Sequence, residues 1–120
     1  MTATTAGYRA LLVPAALDQP IRDIVIADNG DDGLADLRRH INCNYIEHVT
    51  GPRCSLWVDE EGAISAPPRP SNPRIDRLLH RTDGWSIRGN VVITGRTTAD
   101  GETGSLPAED AARLMQELAR

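Results

Sequence analysis

The sequence predicts an α+β domain: one mixed or mostly antiparallel sheet of about five short strands, with two to three helices packed on it, mainly on one face. Three observations carry this expectation. Short β-branched or apolar runs recur at 8–13, 21–27, 45–49, 54–58 and 91–94. Helical spacing of apolar residues appears after Gly33, after Pro73 and after Pro107. Strand and helix signals do not alternate in the strict βαβ order of a parallel sheet.

Each element has a local cause. Residues 1–7 are small and polar and are expected to fray, leaving 8–120 as a single domain. The run 8–13 ends at Pro14 and suits a first strand. Ile21 to Ala27 reads as a second, expected to pair with the first as a hairpin, with a loop long enough to leave other pairings open. Asp31 or Asp32 is the expected N-cap of a first helix whose apolar stripe is Leu34, Leu37 and Ile41. Arg38, Arg39 and His40 suit its C-terminal end.

Strands at 45–49 and 54–58 flank Thr50-Gly51-Pro52, a hairpin signal. With the turn centred on Gly51, Tyr45 is expected opposite Trp57, Glu47 opposite Ser55, and His48 opposite Cys54. Alternation then assigns Ile46, His48, Cys54, Leu56 and Val58 to a core face. Tyr45, Glu47, Arg53, Ser55 and Trp57 take the other. Four prolines between residues 66 and 73 make an extended connector. Asn72-Pro73 reads as an N-cap followed by proline at N1, opening a short helix with Ile75, Leu78 and Leu79 inside. A short strand at Val91–Thr94, bracketed by Gly89 and Gly95, is expected to be central. A last helix from Ala108 buries Ala111, Leu114, Met115 and Leu118.

Composition narrows the function classes. The 120 residues carry a net charge of −4 and contain no Phe, so the core is aliphatic and each Tyr and Trp stands out. Every basic residue is arginine, which points to GC-rich coding of the actinobacterial kind. Mild acidity argues against nucleic-acid capture, which needs a basic face. No signal-peptide core or membrane span occurs near the N-terminus, so the expected location is cytoplasmic, with the two cysteines reduced. No nucleotide, cofactor or hydrolase fingerprint is present, which leans away from catalysis.

Several residues invite chemistry. Asp59-Glu60-Glu61-Gly62 concentrates carboxylates but lacks the alternation of a calcium loop, so a solvated turn is expected. His48 opposite Cys54 suggests a nucleophile and base, yet on the face assigned to the core. His40, Cys43, His48 and Cys54 lack paired zinc spacing, so no metal site is assigned. Arg74, Arg77 and Arg81 form one basic stripe, expected as a solvated helix face. The aromatic pair Tyr45 and Trp57, on one face and flanked by Glu47 and Arg53, is the main binding candidate, against the alternative that the proline-rich connector or a helix folds back over the two rings.

The order of Tyr45-Ile46-Glu47, Trp57-Val58-Asp59-Glu60-Glu61-Gly62, Asn72-Pro73 with its helix, and Gly89-Asn90-Val91-Val92-Ile93-Thr94-Gly95 resembles the domain of unknown function family numbered 3846. The opening ALLVP run fits the start of that family. The resemblance spans roughly residues 9–106. It implies small phage, plasmid and bacterial relatives and assigns no activity. The longer polar loop at 97–104 and the arginine-rich helix at 74–81 depart from the family pattern.

Two functions follow as expectations. One is a non-catalytic accessory protein that binds a host macromolecule, plausibly a host protein, through the 45–58 hairpin face, with homodimerisation possible through a sheet edge. The other is a small enzyme or small-molecule binder whose polar cleft, between the 59–62 turn and the helix after Asn72, gathers Asp59, Glu60 and Asn72.

Overall fold

The computed structural model describes residues 7–27, 30–51, 53–65, 67–80, 86–97 and 103–119. The strand runs of the sequence become β1 (Gly7–Val13), β2 (Arg22–Ala27), β3 (Ile46–Gly51), β4 (Cys54–Asp59) and β5 (Val91–Thr94). They form one antiparallel sheet in the order β2-β1-β5-β4-β3. β5 lies at the centre, as its largely apolar run predicts, and all four of its residues are buried. β2 and β3 are the edges.

The helices are α1 (Gly30–Ile41), α2 (Pro73–Leu78) and α3 (Ala108–Leu118). They cover both faces of the sheet rather than mainly one. On one face, Leu11, Val13, Leu56, Val58, Val91 and Ile93 pack against Ile75 and Leu78 of α2 and Leu114 and Leu118 of α3. On the other, Ala10, Leu12, Ile26 and Val92 pack against Leu37 and Ile41 of α1. The three inner strands, β1, β5 and β4, carry buried residues on both faces, so each face needs a cover.

α1 differs from expectation at both its start and its stripe. It begins at Gly30, so Asp31 and Asp32 sit inside the first turn, where they meet the positive end of the dipole, and neither is the cap. Leu34 is 45% exposed, and the buried row is Gly33, Leu37 and Ile41, spaced by four. A Cβ on Gly33 would lie 2.8 Å from the Ala27 carbonyl oxygen, so the glycine lets the helix approach β2 closely. The Ala27 N–H donates to Asp36 Oδ2 at 2.9 Å across the same contact. At the far end Asn42 takes a left-handed conformation (φ 63) and the Cys43 N–H turns back to the Arg38 carbonyl.

α2 starts as its sequence predicts. Asn72 caps it, with Oδ1 accepting from the Ile75 N–H at 3.3 Å and proline following. The side chain does more than cap. It is fully buried, and Nδ2 donates to the carbonyls of Val13 and Gly89, each at 3.1 Å. One amide thus ties α2 to the end of β1 and to the approach to β5. Asp76 on α2 holds the next segment, accepting from the Ser86 hydroxyl at 2.5 Å and the Ile87 N–H at 2.8 Å.

The β3–β4 pairing overturns the expected register. Gly51 pairs with Cys54, so only residues 52 and 53 join the strands. His48 faces Trp57, Glu47 faces Val58 and Val49 faces Leu56. Trp57 therefore meets His48 rather than Tyr45, a slip of three positions. An odd slip moves one strand's side chains to the opposite face. The faces of β4 stand as expected, and those of β3 are reversed. Pro52 of the expected turn lies outside the described residues, and Arg53, which leads into β4, takes a left-handed conformation (φ 61).

Candidate functional site

The reversed register separates the residues expected to form a binding patch. Trp57 lies on the α1 face, half-buried, while Glu47 lies on the α2/α3 face. The same alternation carries Tyr45 to the Glu47 face, where it is 59% exposed. The Tyr45–Trp57 pair does not form. Arg53 sits at the turn, exposed, and faces a separate shallow concavity with Arg96.

A different group forms around Trp57. Its ring packs against His48, with centroids 4.8 Å apart and planes tilted by 37°. Its indole N–H donates to Thr94 Oγ1 at 2.9 Å, and that hydroxyl donates to the Gly95 carbonyl. His48 Nε2 is hydrogen-bonded to Ser55 Oγ at 2.9 Å. Ser55 Oγ also accepts from the Thr97 N–H and is bonded to Thr97 Oγ1, each at 3.2 Å. Thr97 Oγ1 reaches Thr103 Oγ1 at 3.4 Å. The chain of hydroxyls fastens the segment after β5 to the hairpin.

His48 and Ser55 are spaced like a base and nucleophile, but the serine is unsuited to attack. Its oxygen is saturated by three hydrogen bonds, and the residue is only 2% exposed. What the group offers instead is an exposed imidazole braced on an indole at a sheet edge.

The hydrogen-bond phase of β3 says which backbone groups are open. The Glu60 N–H donates to the Tyr45 carbonyl at 3.0 Å, which makes 45 and 60 a hydrogen-bonded pair. Bonded and non-bonded pairs alternate along an antiparallel ladder. Glu47, Val49 and Gly51 therefore turn their backbone groups toward β4. Ile46, His48 and Thr50 turn theirs outward, where β3 has no neighbouring strand among the described residues.

A cleft of about 320 Å³ does lie against the 59–62 turn, but not where the sequence suggests. Its other wall is Ser86, Ile87 and Arg88, not the helix after Asn72. Asp59, Glu60 and Asn72 do not converge, because Asn72 is sealed among backbone groups elsewhere. Asp59 is occupied as well, accepting from the Glu61 N–H at 2.8 Å and pairing with Arg69 Nε at 3.4 Å. That 3.4 Å approach is an ion pair and not a well-formed hydrogen bond, since Arg69 Nε has no hydrogen-bond partner. Arg69 also donates to the Asn42 carbonyl, and Arg88 donates to the carbonyl of Arg69.

The basic stripe on α2 is likewise committed. Arg74 donates to the carbonyls of Pro14 and Leu17, and Arg77 to that of Leu118. Arg81 of the expected stripe and residues 98–102 of the polar loop lie outside the described residues. Among the described residues, no three His, Cys, Asp or Glu side chains are gathered to hold a metal ion. Cys43 packs on the α1-face cluster and Cys54 belongs to the other, and both are free thiols. Among the described residues no helix is long and apolar enough to cross a membrane.

Both thiols are pushed up to about 11 by burial, with Asp59 adding to the shift at Cys43. The folded chain keeps these protons where the unfolded chain, near 9.0, releases them. Unfolding therefore releases protons, and stability falls as pH rises from about 9 to about 11. Below 9.0 the contribution is fully present. Urea melts across that window should steepen this decline in the wild type relative to a C43A/C54A variant. Iodoacetamide at mildly alkaline pH should label the native protein far more slowly than the urea-unfolded one.

No curated protein matches the chain. A model of the family described as a domain of unknown function (DUF3846) matches residues 9–119. The fold is also similar to part of the small RNA methyltransferase HEN1 in its crystal structure, with a TM-score of 0.64 at 10% identity. That alignment covers 94% of this chain and 16% of the other. At such identity the likeness shows the fold alone.

Proposed function

The chain belongs to the domain of unknown function family DUF3846, and from that premise we propose that it is a non-catalytic accessory module that binds a partner protein by adding an extended segment of that partner to the open edge of β3. The observation that carries this is the outward set of backbone groups at Ile46, His48 and Thr50, flanked on one side by the His48–Trp57 rings. Main-chain pairing supplies affinity in such complexes, and pockets for alternate side chains supply selectivity. Ile46 and Trp57 give the α1 side of that edge an apolar floor. The saturated Ser55 and the sealed Asn72 favour a surface that binds over one that reacts. The arginine-only basic set and the family's small phage, plasmid and bacterial proteins support an accessory role in a mobile element or its bacterial host, acting in the cytoplasm.

The test is selection of peptide binders from a displayed random library, followed by hydrogen exchange. Selected peptides should be rich in β-branched and aromatic residues. Their binding should slow exchange at the Ile46, His48 and Thr50 amides. Thr50→Pro removes an outward N–H and leaves the β4 ladder intact, so it should weaken binding about tenfold or more. Protection centred away from β3, or binders that dock as helices, would overturn the proposal.

A further inference from the structure

We infer that the segment added to β3 is basic at alternate positions, with lysine or arginine side chains entering the cleft beneath the edge. This rests on the edge-addition reading and names the chemistry of its partner.

The cleft of about 320 Å³ borders β3 on the α2/α3 side, and β3 itself contributes Glu47 and Val49 to its wall. A strand added to β3 would run about 4.8 Å away, and its side chains would alternate between the two faces of the sheet. Those on the α2/α3 side stand next to Glu47 and Val49 and enter the cleft. Its charged groups fall into two sets. Asp59 and Arg88 belong to the internal clamp around Arg69, one on its guanidinium and the other on its carbonyl. Glu47 and Glu60 are exposed and have no cationic partner among the described residues. Val49, Val58 and Ile87 supply apolar surface between them.

An apolar wall leading to two unpaired carboxylates matches a long side chain with an aliphatic stem and a cationic head. A basic residue opposite Glu47 also makes the favourable opposite-charge cross-strand pair. On the α1 side the intervening side chains meet Ile46, His48 and Thr50, which favours apolar or aromatic residues there. The net charge of −4 favours encounter with such a segment.

The experiment uses short labelled peptides in which valine alternates with lysine, glutamine or glutamate, measured by fluorescence anisotropy on the full chain. The lysine peptide should bind about fivefold tighter than the glutamine peptide, and the glutamate peptide most weakly. High salt should narrow the differences. An E47Q/E60Q variant, whose changes are exposed and isosteric, should lose the lysine preference and keep its affinity for the glutamine peptide. Equal binding of lysine and glutamine peptides to wild type, or a preference that survives E47Q/E60Q, overturns the charge inference and leaves edge addition standing. Thr50→Pro, and N-methylation of alternate peptide residues on an unaltered protein, should each weaken all three peptides. If neither does, or if none of the peptides binds, edge addition itself fails and this inference with it.

Discussion

Asn72→Asp is expected to destabilise the fold by about 3–5 kcal/mol at neutral pH, although aspartate is among the best helix N-caps. A residue that only capped α2 would tolerate the change, since a carboxylate oxygen can accept from the Ile75 N–H as Oδ1 does. Here the second atom decides the outcome. Nδ2 donates to two buried carbonyls, those of Val13 and Gly89. A carboxylate would present a negative oxygen to both acceptors in a site with no solvent exposure.

The pH dependence follows from the same geometry. Burial against two carbonyls raises the introduced carboxyl above its unfolded value near 4. The folded state then holds a proton that the unfolded state releases, so the variant loses stability as pH rises above about 4. Its deficit relative to wild type should shrink on acidification. Asn72→Ser would keep the cap and leave both carbonyls unpaired, and should cost about 2–4 kcal/mol at every pH. Urea unfolding at acid and neutral pH measures all three proteins. An aspartate variant within about 0.5 kcal/mol of wild type at neutral pH would reduce Asn72 to an ordinary cap.

Gly95→Ala is expected to cost about 2–4 kcal/mol through a collision of backbone with backbone. A Cβ there would strike the Ser105 carbonyl oxygen and lie 2.9 Å from that of Gly104. Neither atom can move freely, because the Gly95 N–H donates to the Gly104 carbonyl and Leu106, next in the chain, donates to the Arg9 carbonyl. Gly104→Ala is the internal control. A Cβ at Gly104 meets nothing within 4 Å, so that variant should stay within about 0.5 kcal/mol of wild type. Thr94 holds the Trp57 indole, so the Gly95 variant should also change the near-ultraviolet signal of the tryptophan. Equal stability of the two glycine variants would refute the close approach.

Much of the fold was legible along the chain. The strand runs, the Asn72-Pro73 start of α2, the central place of Val91–Thr94 and the buried row of α3 all follow from local chemistry. The candidate site was legible only in part. His48 and Trp57 each stood out, but nothing local paired them, and the serine between them and Thr97 is separated from that threonine by most of the connector, α2 and β5. Pro52 held the one usable signal for the register, since proline suits the second position of a turn better than the third.

Alternation within each strand is set by covalent geometry, so the sequence alone determined which residues of β4 travel together and which of β3 do. Which set of one strand lies beside which set of the other depends on where the chain closes its turn and on what each face must bury. Only the folded sheet decided that, because packing of Val49 with Leu56 in the cluster under α2 and α3 and of Ile46 with the α1 cluster is a long-range choice. The consequence was to separate Tyr45 from Trp57 and to bring histidine to the indole at an open strand edge.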